Sequence, residues 1–246
     1  MSKRRIRKAA SHISDRNSKI IWIRRILVIM IIFLLIIYFI LRIVYDTGRF
    51  TIILDSAGDP MSGLIIYNNL AEKKPQQKLQ AEAVDFFTNI AQSWLPENID
   101  SEAEESHNGT NYIAYTFYVE NRSDNTMNYW YEVVLDDVIK NVDEALRVMV
   151  ILNGERTVYA KVNSTTKEPE PNTIPFNTEK EIISEQREGF ESGEIDKCTV
   201  VIWIEGNDPE CLDDLIGGEI KMHMDIMENH IPQEEDNQIE GDEGNE

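Results

Sequence analysis

Two cysteines, four histidines and two clusters of acids are the side chains of this 246-residue chain whose types suit chemistry. Asp136, Asp137, Asp143 and Glu144 form one acidic cluster; Asp208, Glu210, Asp213 and Asp214 form the other. Carboxylates gathered on a loop suit Ca²⁺, which takes about six to eight oxygen ligands. Neither cluster has the D-x-[DN]-x-[DN]-G spacing of a calcium loop, so charged, solvated loops are the competing account. Met222, Met224 and Met227 beside His223 and His230 supply thioether and imidazole, a set suited to Cu(I). Met222 and Met224 share a strand face with Ile220 and Ile226, however, while His223 points the other way, and that is the pattern of core packing. Cys198 and Cys211 could form a bridge, stabilising the fold by about 3 kcal/mol in chain-entropy terms. Cys198 opens a strand roughly 20 Å long and Cys211 lies beyond its far end. A bridge therefore needs the loop to double back, and two separate thiols are the alternative.

Signs of catalysis are sparse. The chain has no H-E-x-x-H pair and no G-x-S-x-G elbow. His107, His223 and His230 have no nucleophile partnered to them in the sequence. Carboxylate pairs for glycoside chemistry carry no weight, because 43 acids between residues 46 and 246 always furnish one. Asn108-Gly109-Thr110, Asn121-Arg122-Ser123 and Asn163-Ser164-Thr165 match the glycosylation sequon, which matters only in a eukaryotic secretory route. No cofactor is implied.

The elements that must position these residues divide sharply by charge. The net charge is −20, from 44 acids and 24 bases. Residues 1–45 hold ten Lys/Arg and one acid, Asp15; residues 46–246 hold fourteen Lys/Arg and 43 acids. Such acidity argues against a nucleic-acid partner, since phosphate neutralisation needs a basic face. Between the two parts, Ile26 to Leu41 is uncharged, and Ile43, Val44 and Tyr45 extend the apolar run past Arg42. As a helix, Ile26–Tyr45 would span about 30 Å, a hydrocarbon core. Arg42 can snorkel, and Trp22 and Tyr45 sit at interfacial levels. Nine Lys/Arg precede the span, so the positive-inside rule predicts a cytoplasmic N-terminus and an exterior residue 46–246 portion. Tyr45-Asp46-Thr47-Gly48-Arg49 offers no small-residue cleavage site, which favours a signal-anchor over a leader.

Beyond the anchor, residues 46–63 read as a connector with a turn at Asp55–Pro60, and Leu64–Tyr67 as a short strand. Apolar residues at three- and four-residue intervals from Gln76 to Trp94 predict an amphipathic helix, with Val84 to Leu95 also compatible with a strand. Pro96 ends it, and Asn98 to Asn111 is a polar loop. Tyr112–Val119, Tyr129–Leu135, Leu146–Leu152 and Glu155–Val162 read as strands, the last two joined by the hairpin turn Asn153-Gly154. Cys198–Ile204 is apolar on both faces, as a central strand would be, and Glu219–Ile226 alternates. The tail, with seven acids and one apolar residue between Gln233 and Glu246, reads as disordered.

Several stretches together, namely the aromatic strand from Tyr112, the Asp136–Ala145 connector, the Asn-Gly hairpin, the Phe190–Asp196 turn and Ile202–Cys211 followed by Ile216-Gly217-Gly218, resemble exported proteins of Gram-positive bacteria. More distantly the chain is similar to the camelysin and TasA group of surface and biofilm-matrix proteins. The likeness covers about half the chain and rests on strand and turn residues. It implies a jelly-roll-like sandwich on a bacterial surface. That group usually carries a cleavable leader, whereas this chain reads as anchored.

The expected organisation is a basic cytoplasmic segment 1–25, a transmembrane signal-anchor 26–45, a connector 46–111, an antiparallel, jelly-roll-like β-sandwich ectodomain 112–230 and an acidic tail 231–246. The expected role is non-catalytic, in adhesion, envelope or matrix assembly, with surface proteins or further copies of the chain as partners. The alternatives are a metal-dependent surface protease, which the camelysin resemblance implies, and an accessory or sensor subunit of a membrane complex.

Overall fold

The computed structural model describes residues 22–40, 50–55, 63–84 and 88–228, and its contacts divide the chain into two units, Met1–Gly48 and Arg49–Glu246. In the first unit, Trp22–Ile40 is a single helix of 19 residues with a mean hydropathy of 2.7. Its side chains are exposed all round the axis, with Ile37 partly covered. A helix with no polar stripe has the composition, and here the length, to cross a membrane. Its described residues include Trp22 to Arg25, ahead of the expected start at Ile26, and so take in Arg24 and Arg25. Residues 41–45 of the expected span, the 1–21 segment, His230 and the tail 231–246 lie outside the described residues.

The second unit is mainly β. Its strands are β1 (Thr51–Asp55), β2 (Leu64–Tyr67), β3 (Lys78–Gln80), β4 (Glu105–Ser106), β5 (Ile113–Asn121), β6 (Met127–Ile139), β7 (Leu146–Leu152), β8 (Glu155–Ala160), β9 (Ile174–Pro175), β10 (Glu181–Phe190), β11 (Ile195–Ile204) and β12 (Glu219–Met227). One sheet runs β10-β6-β12-β1-β3; the other runs β2-β5-β11-β7-β8-β9, with β4 also on β5. Both are mixed rather than wholly antiparallel. β1 lies parallel to β12, Thr51 opposite His223, and β8 lies parallel to β9. Parallel partners need long crossovers, and the β1–β12 pair joins the first strand of the unit to its last.

The β7–β8 hairpin turns at Asn153 and Gly154, with φ of 52° and 91°. Both central positions of a type I′ turn need positive φ, which Asn tolerates and Gly adopts freely. β11 lies between β5 and β7, and its two faces feed two cores. Cys198, Val200 and Ile202 join the main cluster, which draws on both sheets: Ile52, Val133, Met224 and Ile226 from one, Phe117, Val148 and Val150 from the other. Val201 and Trp203 enter a second cluster with Ala114, Met149, Ile151, Ile90 and Ile99. A strand buried on both sides must be apolar on both sides, as Cys198–Ile204 is.

The helix expected over Gln76–Trp94 does not form. Lys78–Gln80 is strand β3 on the edge of β1, and Gln92–Trp94 is a single 3₁₀ turn. The apolar residues at helical intervals go to separate places. Leu79 fills the main cluster, Ala83 is exposed, Ile90 pairs with Glu205 and enters the second cluster, and Trp94 is 75% exposed. The spacing is therefore coincidental. Residues 85–87, with Phe86 and Phe87, lie outside the described residues. The region read as a connector contains β1, whose Ile52 is fully buried.

Candidate functional site

Strands whose faces are apolar should tolerate few charges, so the buried charges of this unit mark the places where geometry has been specified. Three polar groupings stand out.

The first lies at the end where β6 gives way to β7. Arg147 is a lone charge in an otherwise apolar strand and is only 4% exposed. Its Nη2 donates to Asp208 Oδ2 at 2.6 Å, and Glu170 Oε2 is 3.7 Å away. Glu205 follows β11 directly. Its Oε2 accepts from Trp203 Nε1 at 3.0 Å and from the Gln92 amide at 2.9 Å, while Oε1 accepts from the Asn207 amide at 3.1 Å. Asp208 Oδ1 accepts from the Glu210 amide at 2.8 Å. Each buried oxygen is satisfied, as burial requires, and together these bonds fasten the 205–211 loop and the 90–95 segment onto the sheet.

The second lies at the opposite end, where β5 turns into β6. Asp196, fully buried, accepts from Tyr129 Oη at 2.8 Å, Asn153 Nδ2 at 2.6 Å and Arg187 Nε at 3.1 Å. Burial, the negative charge of Asp196 and the bond to it hold the Tyr129 hydroxyl far above the usual tyrosine range. Arg187 also pairs with Glu194 at 2.7 Å and lies over the Phe190 ring.

The third is on the outer side of β12. His223 Nε2 is 3.2 Å from Asp225 Oδ2 and Nδ1 is 2.9 Å from Asp136 Oδ1. The bond to Asp225, opposed by burial and joined by the bond to Asp136, raises the imidazole from 6.5 to about 9. The ring is a cation held between two carboxylates. His bracketed in this way is a charge-paired strut, because both nitrogens are engaged as donors and neither is left to take up a proton or a metal.

The residues singled out by sequence are dispersed. Asp136 pairs with His223, and Asp137 is exposed beside it on β6. Asp143 is buried in a 3₁₀ turn, Val142–Ala145, and bonds Lys161 Nζ at 2.6 Å. Glu144 is raised above the usual carboxylate range by burial and then by the charge of Glu210. Glu210 accepts from the Ser164 amide at 2.8 Å and from its hydroxyl. Among the described residues no three His, Cys, Asp or Glu side chains are grouped to hold a metal ion, so the four calcium candidates do not converge. Cys198 and Cys211 are both free. Cys198 is buried under the main core, which pushes its thiol upward, and Cys211 Sγ accepts from Asn89 Nδ2 at 3.0 Å. Met222, Met224 and Ile226 pack in the core, with His223 on the other face. Between the sheets, Tyr129, Tyr131, Cys198 and Met224 line a packing gap too small for a water molecule.

Arg147, Asp196 and Glu205 were not distinguished by the sequence patterns above. A single charge within, or directly next to, a run of apolar strand residues is the signal that finds Arg147 and Glu205; Asp196, between Ile195 and Lys197, carries no such mark.

No family model matches the chain, and no curated protein matches it. Among solved structures, a β-glucosidase from Kluyveromyces marxianus in complex with glucose aligns over 65% of this chain and 15% of its own, at 10% identity and a TM-score of 0.23. The chain thus spans a small fraction of that enzyme, at a similarity below that of a shared fold.

Proposed function

We propose that this chain is a single-pass membrane protein whose second unit is a β-sandwich of jelly-roll type, acting outside the cell in a non-catalytic role in adhesion, envelope structure or matrix assembly. The observation that carries the reading is the helix Trp22–Ile40, apolar and exposed on every side, ahead of a strand-rich, acidic unit. The nine Lys/Arg before Ile26 favour a cytoplasmic N-terminus and an exterior second unit. The sandwich is supported by a core cluster shared between the two sheets. The non-catalytic role is supported by where the buried charges go: Arg147, Asp196, Glu205 and Asp208 are each bonded to groups that hold loops and strands in place. Partners would be other surface proteins or further copies of the chain.

The test uses the full chain in intact cells. A C-terminal tag removed by added protease, with the protein retained in the membrane after alkaline extraction, supports the anchored exterior reading. A protected tag overturns it. Turnover of a peptide or glycan panel by the purified full chain at catalytic rates would overturn the non-catalytic role.

A further inference from the structure

The sequence holds two Asn-Gly pairs, Asn108-Gly109 and Asn153-Gly154. An asparagine before a glycine carries a latent reaction of its own. The glycine amide nitrogen attacks the asparagine Cγ, the new C–N bond closes a five-membered cyclic imide, and ammonia leaves. Water then opens the imide at either carbonyl, giving aspartate or isoaspartate. One water is consumed and one ammonia released, with no other reactant. Glycine favours the attack because it has no Cβ to shield its nitrogen.

Asn153 and Gly154 are both exposed at the tip of the β7–β8 hairpin, and a Cβ at Gly154 would meet no atom within 4 Å. The turn is open to water, yet the Asn153 side chain is held at both ends by β11. Its Nδ2 donates to Asp196 Oδ1 at 2.6 Å, and its Oδ1 accepts from the Lys197 amide at 2.9 Å. Its own main-chain amide donates to the Lys197 carbonyl at 2.9 Å. Bringing Cγ onto the Gly154 nitrogen takes rotation about the Asn153 Cα–Cβ or Cα–C bond. The first breaks both side-chain bonds. The second breaks the two-residue turn, whose φ angles of 52° and 91° belong to the hairpin. All three bonds to β11 hold only while β7 lies against it, Leu152 opposite Cys198.

The product does not fit the place the amide leaves. Asp196 is fully buried and already accepts from Tyr129 and Arg187. A carboxylate at 153 would set two acceptors face to face where a donor stood, and like charges so close disfavour each other. Isoaspartate adds a methylene to the main chain, within a turn whose length fixes the register of the hairpin.

We propose that Asn153 is a site of spontaneous deamidation, closed while the β7–β8 hairpin is seated on β11 and open when it lifts. A reversible opening of the hairpin thereby becomes a permanent change, and the altered chain no longer closes around Asp196. The site is independent of membrane topology and of the surface role.

The test is made on the full chain in detergent, kept in mildly alkaline buffer with and without denaturant. Peptide mapping that separates aspartate from isoaspartate follows the amide lost at 153 and at 108 over time. In denaturant the two pairs should react at like rates. Without denaturant the rate at 153 should be lower by about 100-fold or more, because only the opened form reacts. Equal rates at 153 in the two conditions overturn the closed state. Absence of reaction at 153 in denaturant, where 108 reacts, overturns the site itself. The effect of the product is read from Asn153→Asp against Asn153→Gly, which lose the same amide bonds while only the first adds a charge. Asn153→Asp should have the lower denaturation midpoint, or fail to fold where Asn153→Gly folds. Equal midpoints overturn the permanent change.

Discussion

The Tyr129 hydroxyl, on β6 of one sheet, donates to the carboxylate of Asp196, on β11 of the other, at 2.8 Å. The bond is enclosed in the region the two sheets share, and Arg187 and Asn153 complete it. It ties the sheets together where the hydrophobic core alone would not set their register.

Asp196→Ala leaves Tyr129 and Asn153 without this acceptor and Arg187 with Glu194 as its remaining carboxylate partner. Removing one member of a buried ionic network costs about 3–5 kcal/mol. Tyr129→Phe removes one neutral donor, and about 1 kcal/mol is expected. Chemical denaturation midpoints of the full chain in detergent should show the two variants in that order.

Arg147 and Asp208 form a second enclosed pair at 2.6 Å. Asp208→Ala should cost about 3 kcal/mol by leaving the buried guanidinium with Glu170, 3.7 Å away, as its remaining carboxylate and the Leu146 carbonyl as a neutral acceptor. The loss should be accompanied by faster amide exchange across 205–211, because the Glu210 amide loses its acceptor. A midpoint unchanged from the parent would show the pair to be uninvolved in holding that loop.

His223 gives a pH dependence of definite sign. Its folded value is raised from 6.5 to about 9, so the protonated ring binds more tightly in the folded protein. The contribution is complete below about 6.5 and is lost as the pH rises through about 9. Compared with His223→Gln, the parent should lead in stability at pH 6, and the gap should close by pH about 10. NMR titration of the imidazole provides a direct check.

The two thiols should react differently. Cys198 is fully enclosed and its thiol is held above the ordinary range by burial and then by Asp196. Cys211 lies at the surface side of the 205–211 loop. Intact-mass analysis after alkylation of the native chain should show modification at Cys211, with Cys198 modified only after unfolding. Modification of neither thiol until reduction would indicate a bridge and a rearranged loop.

Local pattern was a reliable guide where one face or one turn dictated the residue types. Leu146–Leu152, the Asn153-Gly154 turn and the doubly apolar Cys198–Ile204 were all readable because burial and positive φ restrict what can stand there. β1 escaped because five residues close to the long apolar run look like part of a linker. β10 escaped because Glu181, Glu185, Arg187 and Glu188 make it polar; it lies at the edge of its sheet, where charges blunt pairing with other chains. The 76–94 segment misled because periodicity cannot show that alternate apolar residues serve two different cores. The buried charges depend on contacts between distant parts of the sequence, Asp196 with Tyr129 and Arg147 with Asp208, which no local window contains.

The parallel pairing of β1 with β12 has a bearing on biosynthesis. The strand that leaves the ribosome first in this unit waits for the one that leaves last, and in the interim only the three residues of β3 lie against it. Closing so long a loop is slow compared with making local hairpins. Translation must therefore be nearly finished before the sheet can close, and a product cut short before Glu219 would leave β1 with a bare edge open to aggregation.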